Sequence, residues 1–271
     1  MSLPSLPTRL LDAAPRRGFD ALRLWALGWW QIVLFSAHVG VLVLAPSSWR
    51  RAQRVRIVRR VYLATRPLLP GFMVLSALVG VVIIRIVLAT SQSYGLSRYA
   101  IEVLVRTLVL ELIPLSAALF VAVRLTLAAG DRVRAMREAR AFEELLAKGI
   151  DPTRDLVLPR VLAGVFAVVT LALASGVVTL VLAYLLVYGF ATWGLPAFTR
   201  TVGQVFDPVI ALVFMLKTLA FSLAVSIIPM VTTPREVLAE ALKVNADLTR
   251  LARLLAVLLL VEVLSLIGNY Y

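Results

Sequence analysis

Residues 131–160 read DRVRAMREARAFEELLAKGIDPTRDLVLPR, and thirteen of these thirty positions are charged. On either side the chain turns apolar, in runs at 103–130 and 161–191 that exceed the roughly 20 residues a helix needs to span a bilayer. An arginine-rich insert between two such runs is a loop at a membrane face. Within it Ala135, Ala139, Phe142 and Leu146 recur at spacings of four, three and four, which predicts one amphipathic helix from Asp131 to Leu146. Arg134 with Glu138 and Arg140 with Glu144 are i,i+4 pairs on its polar side, each worth about 0.2–0.5 kcal/mol when formed. Gly149 suits the left-handed closure of that helix, and Asp151-Pro152 reads as the cap and first residue of the next. Such a helix either rests on lipid headgroups or docks a soluble partner, and periodicity alone does not separate the two.

Working outward, 61% of the 271 residues are hydrophobic and the mean hydropathy is +0.93. Soluble chains hold roughly 45–50%. Charged residues at 16% cannot cover so much apolar surface, which excludes a water-soluble enzyme. Apolar runs lie at 24–45, 67–91, 103–130, 161–191, 209–233 and 254–270. Lys and Arg number seven in 46–66, one in 92–102 (Arg98), seven in 131–160, one in 192–208 (Arg200) and four in 234–253. The positive-inside rule places the basic segments in the cytoplasm and the Arg98 and Arg200 loops outside.

The expected fold is an all-α integral membrane protein with five transmembrane helices and a cytoplasmic coupling helix. The first run is read as an N-terminal interfacial, elbow-like helix, because crossing would expose Arg9, Arg16, Arg17 and Arg23 on the outer side. Trp25, Trp29 and Trp30 suit the headgroup layer, with a sixth span as the alternative. Residues 1–66 form an N-terminal cytoplasmic or interfacial segment and 67–271 the membrane domain. The net charge of +13 follows this topology, since 22 of 28 basic residues lie in the cytoplasmic segments, and it does not call for nucleic acid.

No cysteine and a single His38 leave no thiolate or multi-histidine metal site and little for an intramembrane enzyme to use as a base. No Gly-x-x-x-x-Gly-Lys-Ser/Thr loop is present to hold nucleotide phosphates. Arg85, Arg106, Glu111, Arg124, Lys217 and Glu262 lie within or at the edges of apolar runs, where a charge costs about 2.5–3.5 kcal/mol at a helix centre. Arg85, Arg106 and Arg124 are near ends and can snorkel. Glu111 and Lys217 each lie about 12 Å from the outer end of their helices, a depth at which they can pair. Pro114 cannot donate to the Leu110 carbonyl and so leaves a polar acceptor one residue from Glu111. Glu262 has no partner assignable from the sequence.

From Thr107 to Gly164 the chain resembles, without a gap, the signature region of the MlaE (YrbE) family of ABC-transporter permeases, which move lipids together with MCE-domain proteins. Glu111-Leu112-Ile113-Pro114 stands for the family's Glu-Leu-Gly-Pro and Ala122-Val123-Arg124 for its Ala-Gly-Arg. Asp151-Pro152, Pro159-Arg160 and Ala163 match its Asp-Pro, Pro-Arg and Ala. Asp207 and Lys217-Thr218-Leu219-Ala220-Phe221 are similar to its Asp followed by Lys-Ser-x-x-Phe-Gly, so the resemblance covers about residues 60–271. Leu110 replaces the arginine before the family's Glu, Ile113 its glycine, and Leu125-Thr126-Leu127 its Gly-Ser. Arg132 stands at the acidic position of Ala-Glu-Leu-Gly, and Arg140-Ala141 at the family's Glu-Gln.

The resemblance implies a permease dimer, of identical or different chains, with two ATPase subunits that use ATP and Mg while this chain binds no cofactor. It also implies an MCE-domain protein on the outer side, at times a STAS-domain protein, phospholipid as cargo, and a multi-pass location in a bacterial inner membrane. It sets Glu111, Pro114 and Lys217 by a lipid cavity, with Arg85, Arg98 and Arg106 available to a lipid phosphate. Coupling to the ATPase falls to Arg134, Arg137, Arg140, Phe142, Glu143, Glu144, Gly149, Asp151 and Pro152. The departures keep a second reading open, a noncatalytic or auxiliary permease-like scaffold in a heteromeric complex.

Because the chain has no cysteine, a single Glu143→Cys variant reports the sidedness of the loop. A membrane-impermeant maleimide is expected to label it in inverted inner-membrane vesicles and not in intact spheroplasts; labelling from the outside overturns the topology.

Overall fold

The computed structural model describes residues 18–96, 99–233 and 246–270. Leu, Val and Ala dominate the apolar runs, and in hydrocarbon such a segment satisfies its own backbone polar groups only as a helix. The chain folds as α1 (Gly18–Leu44), α2 (Arg51–Thr65), α3 (Leu68–Ser93), α4 (Ala100–Glu138), α5 (Ala141–Ala147), α6 (Leu158–Tyr188), α7 (Leu195–Val205), α8 (Pro208–Ile227) and α9 (Ala246–Tyr270). Six helical stretches among the described residues are long and apolar enough to cross a membrane, and the first of them is Arg23–Leu44. The all-α, multi-pass reading therefore stands.

Helix α6 is the post around which the others assemble, packing against α2, α3, α4 and α8. Its buried face carries Ala163, Gly164, Ala167, Ala172, Ser175, Gly176, Thr179 and Ala183. Lipid tails are as apolar as leucine, so helices in a bilayer associate through close van der Waals packing, which small side chains permit. The approach is tightest at Gly164, where an added Cβ would overlap the Ser226 hydroxyl and the Thr126 methyl, and at Gly130, where it would overlap the Pro229 carbonyl. The Gly164 contacts set the antiparallel register of α6 against α4 and α8. Thr126 and Ser226 lie level with Gly164 at the end of the bundle that carries the 131–160 loop, the cytoplasmic end by the arginine count, and Val109 lies level with Gly176 at mid-height.

Two apolar clusters follow, one towards the 131–160 loop around Val121, Val161, Val168, Phe221, Val225 and Leu254, here the cytoplasmic cluster, and one at the opposite, outer end around Ile84, Leu104, Leu108, Ala183 and Phe198. Tyr184, Tyr188, Trp193 and Phe198 interlock edge to face at the outer end, with centroids 5.3–6.4 Å apart. That is the aromatic belt expected where a helix meets the headgroups. The outer loop carries α7, whose Phe198 and Val205 are buried. The spacing of Phe198, Val202 and Val205 is its sequence signal.

The loop at 131–160 corrects one expectation. The single helix from Asp131 to Leu146 is two: α4 runs to Glu138, Ala139 and Arg140 turn, and α5 begins at Ala141. Arg140 sits in the left-handed region at φ 54°, and its carbonyl accepts the Glu143 and Glu144 N–H groups. The break folds Phe142 back so that the Arg137 guanidinium lies 5.3 Å from its ring centroid and the ring packs on the cytoplasmic cluster. Tertiary contact overrides periodicity here. The Arg134–Glu138 pair forms at 3.8 Å, whereas among the described residues no ion pair joins Arg140 to Glu144, which the break separates from a shared helical face. Gly149 is left-handed at φ +72°, and Asp151 Oδ1 accepts the Thr153 N–H at 2.9 Å, as the turn-and-cap reading requires.

Gly164→Leu is expected to lower the melting temperature of the detergent-solubilised protein by several degrees, the effect of overpacking worth about 1–3 kcal/mol. Gly203→Ala, with nothing within 4 Å, leaves it unchanged. Equal melting of the two variants contradicts this packing.

Candidate functional site

One ammonium and two carboxylates meet inside the bundle, each from a different helix. Lys217 on α8 donates to Glu111 on α4 and lies 2.9 Å from Glu262 Oε2 on α9. The Lys217 side chain is 1% exposed and those of Glu111 and Glu262 are 11% and 14%, so water contributes little to any of the three charges. Glu111 sits two residues beyond Val109, which is level with Gly176, the middle of the apolar run 161–191. The cluster is therefore near mid-membrane, where an unpaired charge is most costly.

The local backbone of α4 makes this meeting possible. Val105–Leu112 is wound as a π-helix, an expanded turn that is common at functional sites. Pro114 follows in the first turn of the regular helix. Proline has no N–H to offer the Leu110 carbonyl four residues back, and Lys217 Nζ reaches that oxygen at 3.5 Å. The same ammonium thus satisfies both polar defects that the sequence places here. It also lies 5.7 Å from the centroid of the Phe221 ring, one turn along α8.

A cavity of about 170 Å³ opens between α3 and α4, lined by Phe72, Ser76, Gly80, Leu108, Leu112 and Ser116 among others. Its lining is apolar, apart from serine hydroxyls such as that of Ser116, which bonds the Ile113 carbonyl. Leu108, Leu112 and Ser116 share one face of α4, and Glu111 turns from it towards α8 and α9. The charge cluster and the apolar hollow are back to back on one helix.

The other sequence candidates separate. Arg106 is half-buried and engaged by Glu102 at 3.2 Å, and Arg85 is exposed on α3. Arg98 lies outside the described residues. In the loop, Arg134 bridges Asp131 and Glu138 at 3.8 Å, and Arg137 is held by Phe142. Arg140, Glu143, Glu144 and Gly149 are exposed, together with Leu146 at 57% and Ile150 at 37%. Pro152 is buried and caps the π-helical turn Thr153–Val157 that leads into α6. Sequence reasoning missed Glu262 as a member of the cluster, and it missed Leu146 and Ile150 as exposed apolar residues of the loop.

Lys217→Met leaves two carboxylates without their cation and is expected to destabilise the protein by about 3–5 kcal/mol. Glu262→Gln keeps a one-to-one Lys217–Glu111 pair and costs much less. Thermal denaturation in detergent compares the two, and an equal loss removes the pairing argument.

Two comparisons bear on this arrangement. A curated protein of Rickettsia prowazekii (strain Madrid E), described as a probable ABC transporter permease protein RP096, is 28% identical over 147 residues, 52% of this chain and 57% of the relative. The chain thus spans a little over half the length of that relative. A family profile described as Permease MlaE matches residues 57–267, from α2 through almost all of α9 and across every member of the charge cluster. The chain belongs to the MlaE permease family.

Proposed function

We propose that this chain is the membrane-spanning subunit of an ATP-driven phospholipid transporter, working with a separate ABC ATPase and an MCE-domain protein in a bacterial inner membrane. The observation that carries the reading is α4, one helical stretch from Ala100 to Glu138. It holds Glu111 and the wall of the apolar cavity at mid-membrane and ends in the exposed turn at Ala139–Arg140. Force applied to that turn by a cytoplasmic motor reaches the cavity through a single element.

The exposed apolar pair Leu146 and Ile150, with exposed Glu143, Glu144 and Lys148 beside them in the chain, gives the motor a surface to grip. An acyl chain suits the apolar hollow between α3 and α4. The protein carries no nucleotide-phosphate loop in its sequence, so ATP and Mg act in the partner.

Both ends of α1 support an interfacial helix over a sixth span. Gly28 packs against Thr233, beyond the cytoplasmic end of α8, and Trp49 Nε1 bonds the Val43 carbonyl just past α1. Gln53, four residues further, donates to the Arg154 carbonyl at 3.0 Å, again at the cytoplasmic end. A crossing helix would carry Leu44 about 24 Å from Gly28, at the far side of the bilayer.

In the reconstituted complex, Leu146→Glu is expected to lower copurification of the ATPase at least tenfold. Glu111→Gln is expected to leave assembly intact and reduce ATP-dependent lipid transfer between liposomes. Transfer unchanged by Glu111→Gln favours the auxiliary scaffold, and ATPase retention unchanged by Leu146→Glu removes the docking surface.

A further inference from the structure

Arg160 opens the cytoplasmic end of α6 and is 7% exposed. Its Nη1 donates to the Leu156 carbonyl at 2.6 Å, and its Nε has no acceptor. A guanidinium so enclosed cannot snorkel away, and leaving its charge uncompensated is costly.

Two further arginines stand at the same height. The contact of Thr126 with Gly164 fixes the register of α4 on α6 and brings the segment around Arg132 alongside Arg160. The Gln53–Arg154 hydrogen bond and the Arg56–Asp155 pair at 3.7 Å fix α2 in the same way and bring Arg60 level from the other side. Arg60 and Arg132 are exposed and lie within electrostatic reach of Arg160.

The carboxylates nearby are already committed. Asp155 faces Arg56, Asp131 is bound by Arg250 and Arg134, and Asp151 caps the Thr153 N–H. Among the described residues no carboxylate lies within ion-pairing distance of Arg60, Arg132 or Arg160.

We propose that Arg60, Arg132 and Arg160 form a site for a phosphate group at the cytoplasmic face of the bundle. The enclosed Arg160 guanidinium, whose Nε has no acceptor, supplies a fixed and uncompensated charge, and the two exposed arginines supply charge and hydrogen-bond donors from the rim. Guanidinium groups favour such oxyanions through short charge-assisted hydrogen bonds. The phosphate comes either from an anionic lipid of the cytoplasmic leaflet or from solution. This site lies at the opposite end of the bundle from Arg85 and Arg106, and it does not depend on the transport reading.

The test uses the full chain. Its melting temperature is measured in detergent with inorganic phosphate against chloride at equal ionic strength, and in nanodiscs of phosphatidylglycerol against phosphatidylcholine. At least one anion is expected to raise it, and Arg132→Glu, which gives Arg160 an internal counter-ion, is expected to weaken the responding ligand at least tenfold without lowering the ligand-free melting temperature. Arg60→Gln serves as a second variant and is expected to weaken it in the same direction.

A response to phosphatidylglycerol alone identifies the lipid leaflet as the source. A response to inorganic phosphate, with or without the lipid, identifies the phosphate group itself. No response to either, or an equal response in wild type, Arg132→Glu and Arg60→Gln, overturns the site and leaves the arginines to an acidic protein partner.

Discussion

At mid-membrane the Lys217 ammonium is shared by two buried carboxylates and by the Leu110 carbonyl, four residues before Pro114. In water such an arrangement would contribute little, because each partner could be hydrated separately. Inside the bilayer the alternatives are unpaired groups that cost several kcal/mol each, so the four partners constrain one another strongly. Helices α4, α8 and α9 must present Glu111, Lys217 and Glu262 at one height and facing one another. Shifting any of the three along its axis by a turn, about 5.4 Å, breaks the contact. The apolar packing sets which helices touch, and the charge cluster sets their rotation and register.

The defects in α4 belong to the same constraint. A regular helix through Pro114 would leave the Leu110 carbonyl facing hydrocarbon. The expanded turn at Val105–Leu112 and the reach of Lys217 together resolve that, and they turn Glu111 towards α8 and α9 while Leu108 and Leu112 keep to the α3 side. One helix can therefore carry a polar lock on one face and an apolar hollow on the other. α6 allows both by staying thin, since its glycines and alanines let α4 and α8 approach closely enough for Lys217 to span the gap.

How much of this the sequence discloses depends on which dimension is asked for. Depth is legible: counting 1.5 Å per residue from the end of an apolar run puts Glu111 and Lys217 at one height, and Pro114 names the freed carbonyl. Azimuth is not, which is why Glu262 stays without a partner until α9 is seen packed on α8. The break at Arg140 is hidden for a related reason, because the four-three-four spacing of Ala135, Ala139, Phe142 and Leu146 continues straight through it. What decides the break is Phe142 folding back under Arg137, a contact that no spacing encodes. Helix α7 is concealed by its loop-like flanks, although Phe198 and Val205 carry its buried face.

The left-handed Arg140 gives the loop a mechanical property that a continuous helix would lack. A rod running unbroken from Ala100 to Leu146 would carry a push at its tip as a bending moment, spread over its whole length. The two-helix form puts a sharp corner at Ala139–Arg140 and ties it on both sides, with Phe142 against the cytoplasmic cluster and Asp131 bound to Arg250 on α9. A load on α5 is then shared between α4 and α9, two of the three helices that meet at Lys217. In the proposed transporter the motor's stroke would reach the polar lock from two sides at once. The lock joins three helices at one ammonium, so a displacement of α4 or α9 acts on the partners of Lys217 directly.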